Sequence, residues 1–231
     1  MALIDDLKKQ AAHRAVEFIT SEMVIGLGTG STAKYAVERI GELLRGGSLE
    51  KISGIPSSDQ TEKLAQRMAI PLTSLDEHPT VDLNIDGADE VDPDLNLIKG
   101  GGGALLKEKI IAQASRRNII IVDESKLSAQ LGSLFSLPVE IIPLARKTEE
   151  NYLRSLGATV ALRTNDDGQP FRTDQKNLIL DAEFGPITNL NELAYSLNQR
   201  AGIVEHGLFM ELADDVIVAK EGGIEHLQRK H

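Results

Sequence analysis

MVIGLGTGSTAKYAVERIGELL, residues 23–44, reads as a strand, a turn and a helix with no linker between them. MVIGL is a short apolar run that meets glycines, and STAKYAVERIGELL carries apolar residues at helical spacing. A strand that passes through a glycine turn into an amphipathic helix opens a β-α-β unit. The turn also has a chemical reading. Glycines permit positive φ, successive amides and the helix N-terminus form an anion nest, and the hydroxyls of Thr29, Ser31 and Thr32 add donors. Phosphate is the natural guest, set against the plainer reading of an ordinary tight turn. Ser31 stands where a dinucleotide fingerprint needs its third glycine, and no Gly-Lys-Ser/Thr follows to make a Walker loop.

The alternation extends in both directions. Leu7, Ala11, Ala15 and Phe18 recur near helical spacing before the strand. After the helix, KISGIP reads as a strand, Asp59 with Glu62 as a capping pair opening TEKLAQRMA, then VDLNID, ALLKEKIIAQAS and NIIIVD continue the pattern. Strands alternating with helices imply right-handed crossovers and a Rossmann-like α/β fold, a mostly parallel sheet with helices on both faces. Beyond Lys126 the order LPVEIIP, ARKTEENYLRSL, ATVALRT, NLILDAEF, TNLNELAYSLNQ, GIVEHGLF spells β-α-β-β-α-β, the pattern of a smaller α+β ferredoxin-like domain. DDVIVAK is expected to rejoin the first sheet. The expected domains are therefore 1–130 with 207–231, and 131–206.

Composition narrows the function. The chain of 231 residues is 41% hydrophobic and has no cysteine, which excludes disulfides, thiolate nucleophiles and thiolate metal sites. A formal charge of −10, 3% aromatics and no tryptophan argue against a nucleic-acid surface. The start, MALIDDLKKQ, has an acidic pair where a signal peptide needs an apolar run, and no later stretch is apolar enough to span a membrane, so a soluble cytoplasmic protein is expected. An anionic ligand must be met locally, by backbone amides and a few lysines.

Two further stretches carry chemistry. NIDGADEVDPD, residues 84–94, leaves an apolar strand and crowds carboxylates at 86, 89, 90, 92 and 94. Asp86 and Asp89 stand beyond the carboxyl end of a strand, where α/β sheets bind ligands. The spacing does not fit a calcium loop and no histidine joins the acids, so a metal site is not expected; a solvated acidic turn is the plain alternative. KGGGGALLKEKI, residues 99–110, lets glycine amides approach an oxygen-rich ligand while Lys99 neutralises developing negative charge. Glu108 follows on a helix with Ala104, Leu105, Ile111 and Ala112 around it and no lysine partner at helical spacing; a surface glutamate in a charged helix is the plain alternative. Glu90 and Lys107 read as peripheral neighbours. The five histidines are scattered and read as structural, and Lys126, in DESK, reaches the same sheet edge.

In this order GLGTGST, DGADEVD, KGGGGALLKEKI, DESK, LPVEIIP and HGLF closely resemble the type A ribose-5-phosphate isomerase family over nearly the whole chain. The resemblance implies a substrate site lined by Thr29, Gly30, Ser31 and Thr32, by Asp86, Gly87, Ala88 and Asp89, by Lys99, Gly100, Gly101 and Gly102, and by Lys126, with Glu108 as the proton-transferring base. It also implies an enzyme without metal or cofactor that interconverts ribose 5-phosphate and ribulose 5-phosphate in the pentose phosphate pathway, as a homodimer or larger homo-oligomer. Lys8 matches a family lysine near the substrate, but a lysine on a polar helix face is common, and it is left outside the site. The chemistry fits the residues independently: ring opening, proton removal from C2, an enediolate, and proton return at C1 need one mobile carboxylate and fixed donors. Asp86 or Asp89 is expected to assist ring opening, with the choice open. Two rivals are a non-catalytic sugar-phosphate sensor, which has no need of Glu108 with both aspartates, and an acyl or CoA transferase, whose glutamate would form a trappable thioester.

Overall fold

The structure, a computed structural model, describes residues 2–229; Met1, Lys230 and His231, which the sequence reading includes in its first domain, lie outside the described residues. By contact the chain forms two units, one of residues up to Ala88, Lys107–Lys126 and from Glu211 on, the other of Asp89–Leu106 and Leu127–Met210. Residues 89–106, 127–130 and 207–210, assigned to the first domain from sequence, thus group with the second unit.

In the first unit, β1 (Val24–Leu27), β2 (Ser53–Pro56), β3 (Leu83–Gly87), β6 (Asn118–Asp123) and β12 (Asp215–Lys220) are parallel, and β13 (Gly223–Gln228) adds an antiparallel edge. Their order is β13-β12-β6-β3-β1-β2. Period-two alternation sends Ile25, Leu27, Ile119, Ile121, Ile217 and Ala219 into one core with Ala11 of α1 (Ala2–Val16) and Val37 and Ile40 of α2 (Ala33–Arg45). Gly26 faces the other way, where a Cβ would come within 2.7 Å of Ile111 on α4 (Leu105–Ala114). Helices therefore cover both faces, and only glycine lets α4 lie that close to β1. Helix α3 (Asp59–Arg67) is capped by Ser58, whose side chain accepts from Thr61 N–H, so the capping residue is not Asp59.

Counted along the chain the parallel strands run 2-1-3-4-5, and the order reverses between β1 and β3. That reversal is the topological switch point, where the connections leave in opposite directions and open a crevice at the carboxyl ends of the strands.

In the second unit, β7 (Leu137–Ile141), α5 (Arg146–Ser155), β8 (Thr159–Leu162), β9 (Leu178–Glu183), α6 (Leu190–Asn198) and β10 (Ile203–His206) form an antiparallel sheet of order β10-β7-β9-β8. Val139, Ile141 and Leu180 pack with Leu153 of α5 and Ala194 and Leu197 of α6, which is the ferredoxin-like arrangement. A three-stranded sheet, β11-β5-β4, joins β4 (Glu90–Val91), β5 (Leu97–Ile98) and β11 (Leu208–Phe209).

Candidate active site

Three of the segments singled out from sequence follow adjacent strands of the first unit. Thr29–Thr32 follow β1, Asp86–Ala88 end β3, and Lys126 closes the turn after β6. Because these strands are parallel and neighbours, all three segments leave the same edge of the sheet, the first two at the switch point. Gly28 N–H donates to Ile85 O at 3.0 Å, and Asp86 Oδ1 accepts from Thr29 N–H at 3.0 Å and Gly87 N–H at 2.7 Å. A Cβ on Gly28 would fall 2.3 Å from Asp86 Oδ1, so the glycine turn exists to let this carboxylate in.

Within that loop the hydroxyls divide. Thr29 is buried and its Oγ1 donates to Ser58 Oγ at 2.8 Å, so it does not supply the outward donor expected from sequence. Gly30 and Ser31 are exposed, and Thr32 stands at the N-cap of α2 without a side-chain bond to the helix. Lys8 Nζ donates to Ser31 Oγ at 2.9 Å, which brings into the loop a cation that the sequence reading left out. Its signal was the family match alone, because nothing local distinguishes it from other lysines of α1. Glu108 lies in the first turn of α4 and is 5% exposed, while Lys107 beside it pairs with Asp59 at 2.8 Å on the half-exposed side.

The second unit holds the rest. Asp89 is half-buried and its Oδ2 accepts from Gly101 N–H at 2.7 Å, so that amide is engaged by the protein. Lys99 is buried, with its N–H on Gly207 O at 2.9 Å and its Nζ 5.5 Å from the centre of the Phe209 ring. Gly100 has φ 107° and is buried, and Gly101 and Gly102 are exposed. Arg163, unnoticed in sequence, donates from Nη1 to Gly100 O at 2.7 Å and Gly101 O at 3.0 Å and pairs with Asp181. Its targets are backbone atoms some 60 residues away, so no residue pattern marks it.

The crowded acids separate by role. Asp92 accepts from the N–H groups of Asp94 and Asn96, shaping its own turn. Glu90 is fully buried, and its carboxylate accepts from four successive amides: Gly132 and Phe135 on Oε2 at 3.0 and 3.1 Å, Ser133 and Leu134 on Oε1 at 3.1 and 3.2 Å. It is a clamp on the loop after Leu131 and not the peripheral residue its sequence neighbours suggested. His206 is buried and its Nδ1 accepts from Leu208 N–H. Among the described residues no group of three or more His, Cys, Asp or Glu is placed to hold a metal ion, and no helix is long and apolar enough to cross a membrane.

Comparison with known proteins agrees with this geometry. A family model described as Ribose 5-phosphate isomerase A (phosphoriboisomerase A) matches residues 53–223. The chain is 55% identical to ribose-5-phosphate isomerase A of Desulfatibacillum aliphaticivorans, over 97% of each chain. A solved D-ribose-5-phosphate isomerase in complex with phospho-erythronic acid superimposes with a TM-score of 0.96 at 42% identity, covering 98% of this chain and 99% of that one. The ribose 5-phosphate isomerase of Plasmodium falciparum gives 0.95 at 41%, covering 98% and 100%. With a glycine loop and an aspartate at the switch point of a 2-1-3-4-5 sheet, and with relatives this similar along the whole chain, the protein belongs to the ribose 5-phosphate isomerase A family.

Proposed function

We propose that Glu108 is the base of an aldose–ketose isomerase: the chain interconverts D-ribose 5-phosphate and D-ribulose 5-phosphate through an enediolate. The observation that carries this reading is a carboxylate 5% exposed in the first turn of α4, and the glycine loop ahead of α2 supports it as a place suited to an anion. Glu108 takes the C2 proton of the open-chain sugar and returns it at C1. Lys99 and the glycine backbone stabilise the oxygen where charge develops, a role worth about 3 kcal/mol per donor in comparable sites. Gly30, Ser31 and Thr32, joined by Lys8, hold the phosphate, and Thr29 fixes the loop from inside. Gly87 and Ala88 bring the chain from Asp86 to Asp89, and Lys126 adds a cation at the sheet edge. Of the two aspartates, Asp86 is 1% exposed with two amides on Oδ1, whereas Asp89 is half-buried, so exposure favours Asp89 for ring opening. The ligand named for the solved relative, a phosphorylated four-carbon sugar acid, agrees with this reading, because its planar carboxylate has the charge and shape of an enediolate.

Ring opening breaks the C1–O bond, and the remaining steps are proton transfers, from C2 to C1 by Glu108 and from O2 to O1 between the sugar oxygens, so the reading assigns no step to a metal or cofactor. The test is ketose formation from ribose 5-phosphate in buffer containing EDTA, comparing wild type with Glu108→Gln and Lys107→Gln. Glu108→Gln keeps size and helix propensity, so kcat should fall by about 10² to 10⁴ with KM changed far less, while Lys107→Gln stays near wild type. Retention of more than about a tenth of wild-type kcat in Glu108→Gln would remove the base from Glu108. A homodimer or larger homo-oligomer, and a cytoplasmic location, belong to the same reading. The first rests on the resemblance, and light scattering giving a mass of 25.1 kDa in solution would overturn it. The second agrees with a chain lacking cysteine.

A further inference from the structure

Behind the first glycine loop lie four buried hydroxyl side chains, Thr29, Ser57, Ser58 and Thr61. Thr29 Oγ1 is 2.7 Å from Ser57 Oγ and 2.8 Å from Ser58 Oγ, Ser58 Oγ is 3.1 Å from Thr61 Oγ1, and Thr61 Oγ1 is 3.0 Å from Gly28 O. Each hydroxyl has one proton and a carbonyl can only accept, which fixes the direction of the chain. Thr61 donates to Gly28, Ser58 to Thr61, Thr29 to Ser58, and Ser57 to Thr29. The 3.0 Å approach of the Thr29 and Thr61 oxygens is then a contact between groups whose protons are already engaged. Aligned in one direction, such bonds polarise one another and strengthen the last of them.

That last bond decides what the network can do. Gly28 C=O and Thr29 N–H belong to one planar peptide unit. Its oxygen accepts from Thr61 and its N–H donates to Asp86 Oδ1 at 3.0 Å, so any rotation of the plane breaks a bond at each end. There is little room beside Gly28 either, since a Cβ there would fall 2.3 Å from Asp86 Oδ1 and 2.5 Å from Ile85 O. The exposed residues Gly30 and Ser31 leave directly from this unit.

We propose that Thr61 is a positioning residue for anion recognition: its hydroxyl sets the Gly28–Thr29 peptide plane, and through it the direction in which residues 30–32 present their amides and hydroxyls. The inference rests on the isomerase reading for its substrate, but binding of inorganic phosphate tests it independently. Thr61→Val replaces the hydroxyl by a methyl of similar size, and Thr61→Ser keeps the hydroxyl. In Thr61→Val the dissociation constant for inorganic phosphate, measured by calorimetry, and the KM for ribose 5-phosphate should both rise about fivefold or more, as expected when the bond that sets the Gly28 carbonyl is lost together with the one Thr61 accepts from Ser58. The fall in kcat should be smaller than the rise in KM, and Thr61→Ser should return both constants to within about twofold of wild type. A network that serves folding alone would lower the melting temperature and leave these constants unmoved, and that result, in protein with native circular dichroism, overturns the proposal. Should Thr61→Val not fold, Thr61→Ala removes the same bond and is read in the same way. If wild type fails to turn over ribose 5-phosphate while its phosphate affinity still responds to Thr61→Val, the isomerase reading falls and the positioning role stands.

Discussion

Glu90 shows what a single residue's surroundings add to its identity. Its two oxygens each face two amides, so Glu90→Gln would turn an NH₂ group toward one pair of N–H donors. Orphaning two buried donors, at about 1–3 kcal/mol each, should cost about 2–6 kcal/mol of folding stability, read as a lower urea midpoint with an unchanged slope. A midpoint equal to that of wild type would mean the loop can be held without the carboxylate. Glu90, Asp86 and Asp89 sit within five residues of one another and carry the same functional group, yet one clamps a loop, one accepts from the amides of Thr29 and Gly87 and one stays half-buried. The local run of letters reveals that acids gather after a strand. It does not reveal which will be surrounded by amides, because those amides come from residues 132–135. Thr29 and Arg163 were illegible for the same reason: their partners are remote in sequence, and several are backbone atoms.

Elements were easier to read, since strand and helix periods are local properties. The β-α-β alternation, the β-α-β-β-α-β block and the return of 215–220 to the first sheet all follow from spacing, whereas the Ser58 cap, the two-residue strands β4 and β5, the edge strand β13 and the division of GIVEHGLF between β10 and β11 in two different sheets escaped. Strand β7 contains one further anomaly, a glutamate within an otherwise apolar, fully buried run. Glu140 Oε1 accepts from Thr173 Oγ1 and Asn177 Nδ2 at 2.9 Å each, while Oε2 is buried with no partner among the described residues. Burial, reinforced by the nearby charges of Glu205 and Asp174, pushes its pKa up despite those two hydrogen bonds. A raised folded-state pKa stabilises the fold fully below the ordinary value near 4.5, and that contribution is lost as pH climbs through the folded value. The stability of Glu140→Gln relative to wild type should therefore improve from about pH 4.5 upward and then level off, seen in melting temperatures taken at several pH values up to about 8. A difference independent of pH would show that Glu140 does not hold a proton in the folded chain.

At the scale of the whole molecule, the order of strands in space differs from their order in the chain. The switch point that receives the glycine loop after β1 requires β3 beside β1, and the sheet is completed only by β12 and β13, after residues 127–210 have built another unit. From sequence the recurrence of a strand near the end could be recognised, whereas the side of the sheet it joins could not, because parallel pairing leaves no turn to announce the neighbour. This arrangement has a cost during synthesis. Until β12 exists, β6 is an outer strand whose sequence NIIIVD, wholly buried in the finished sheet, offers open hydrogen-bonding groups to any extended chain nearby. A ribosome adding about 5–20 residues per second needs roughly 5–20 s to travel from the end of β6 to the end of β12. For that interval the nascent polypeptide carries a sticky border, and its safe passage depends on chaperones or on how quickly residues 127–210 collapse into a fold of their own.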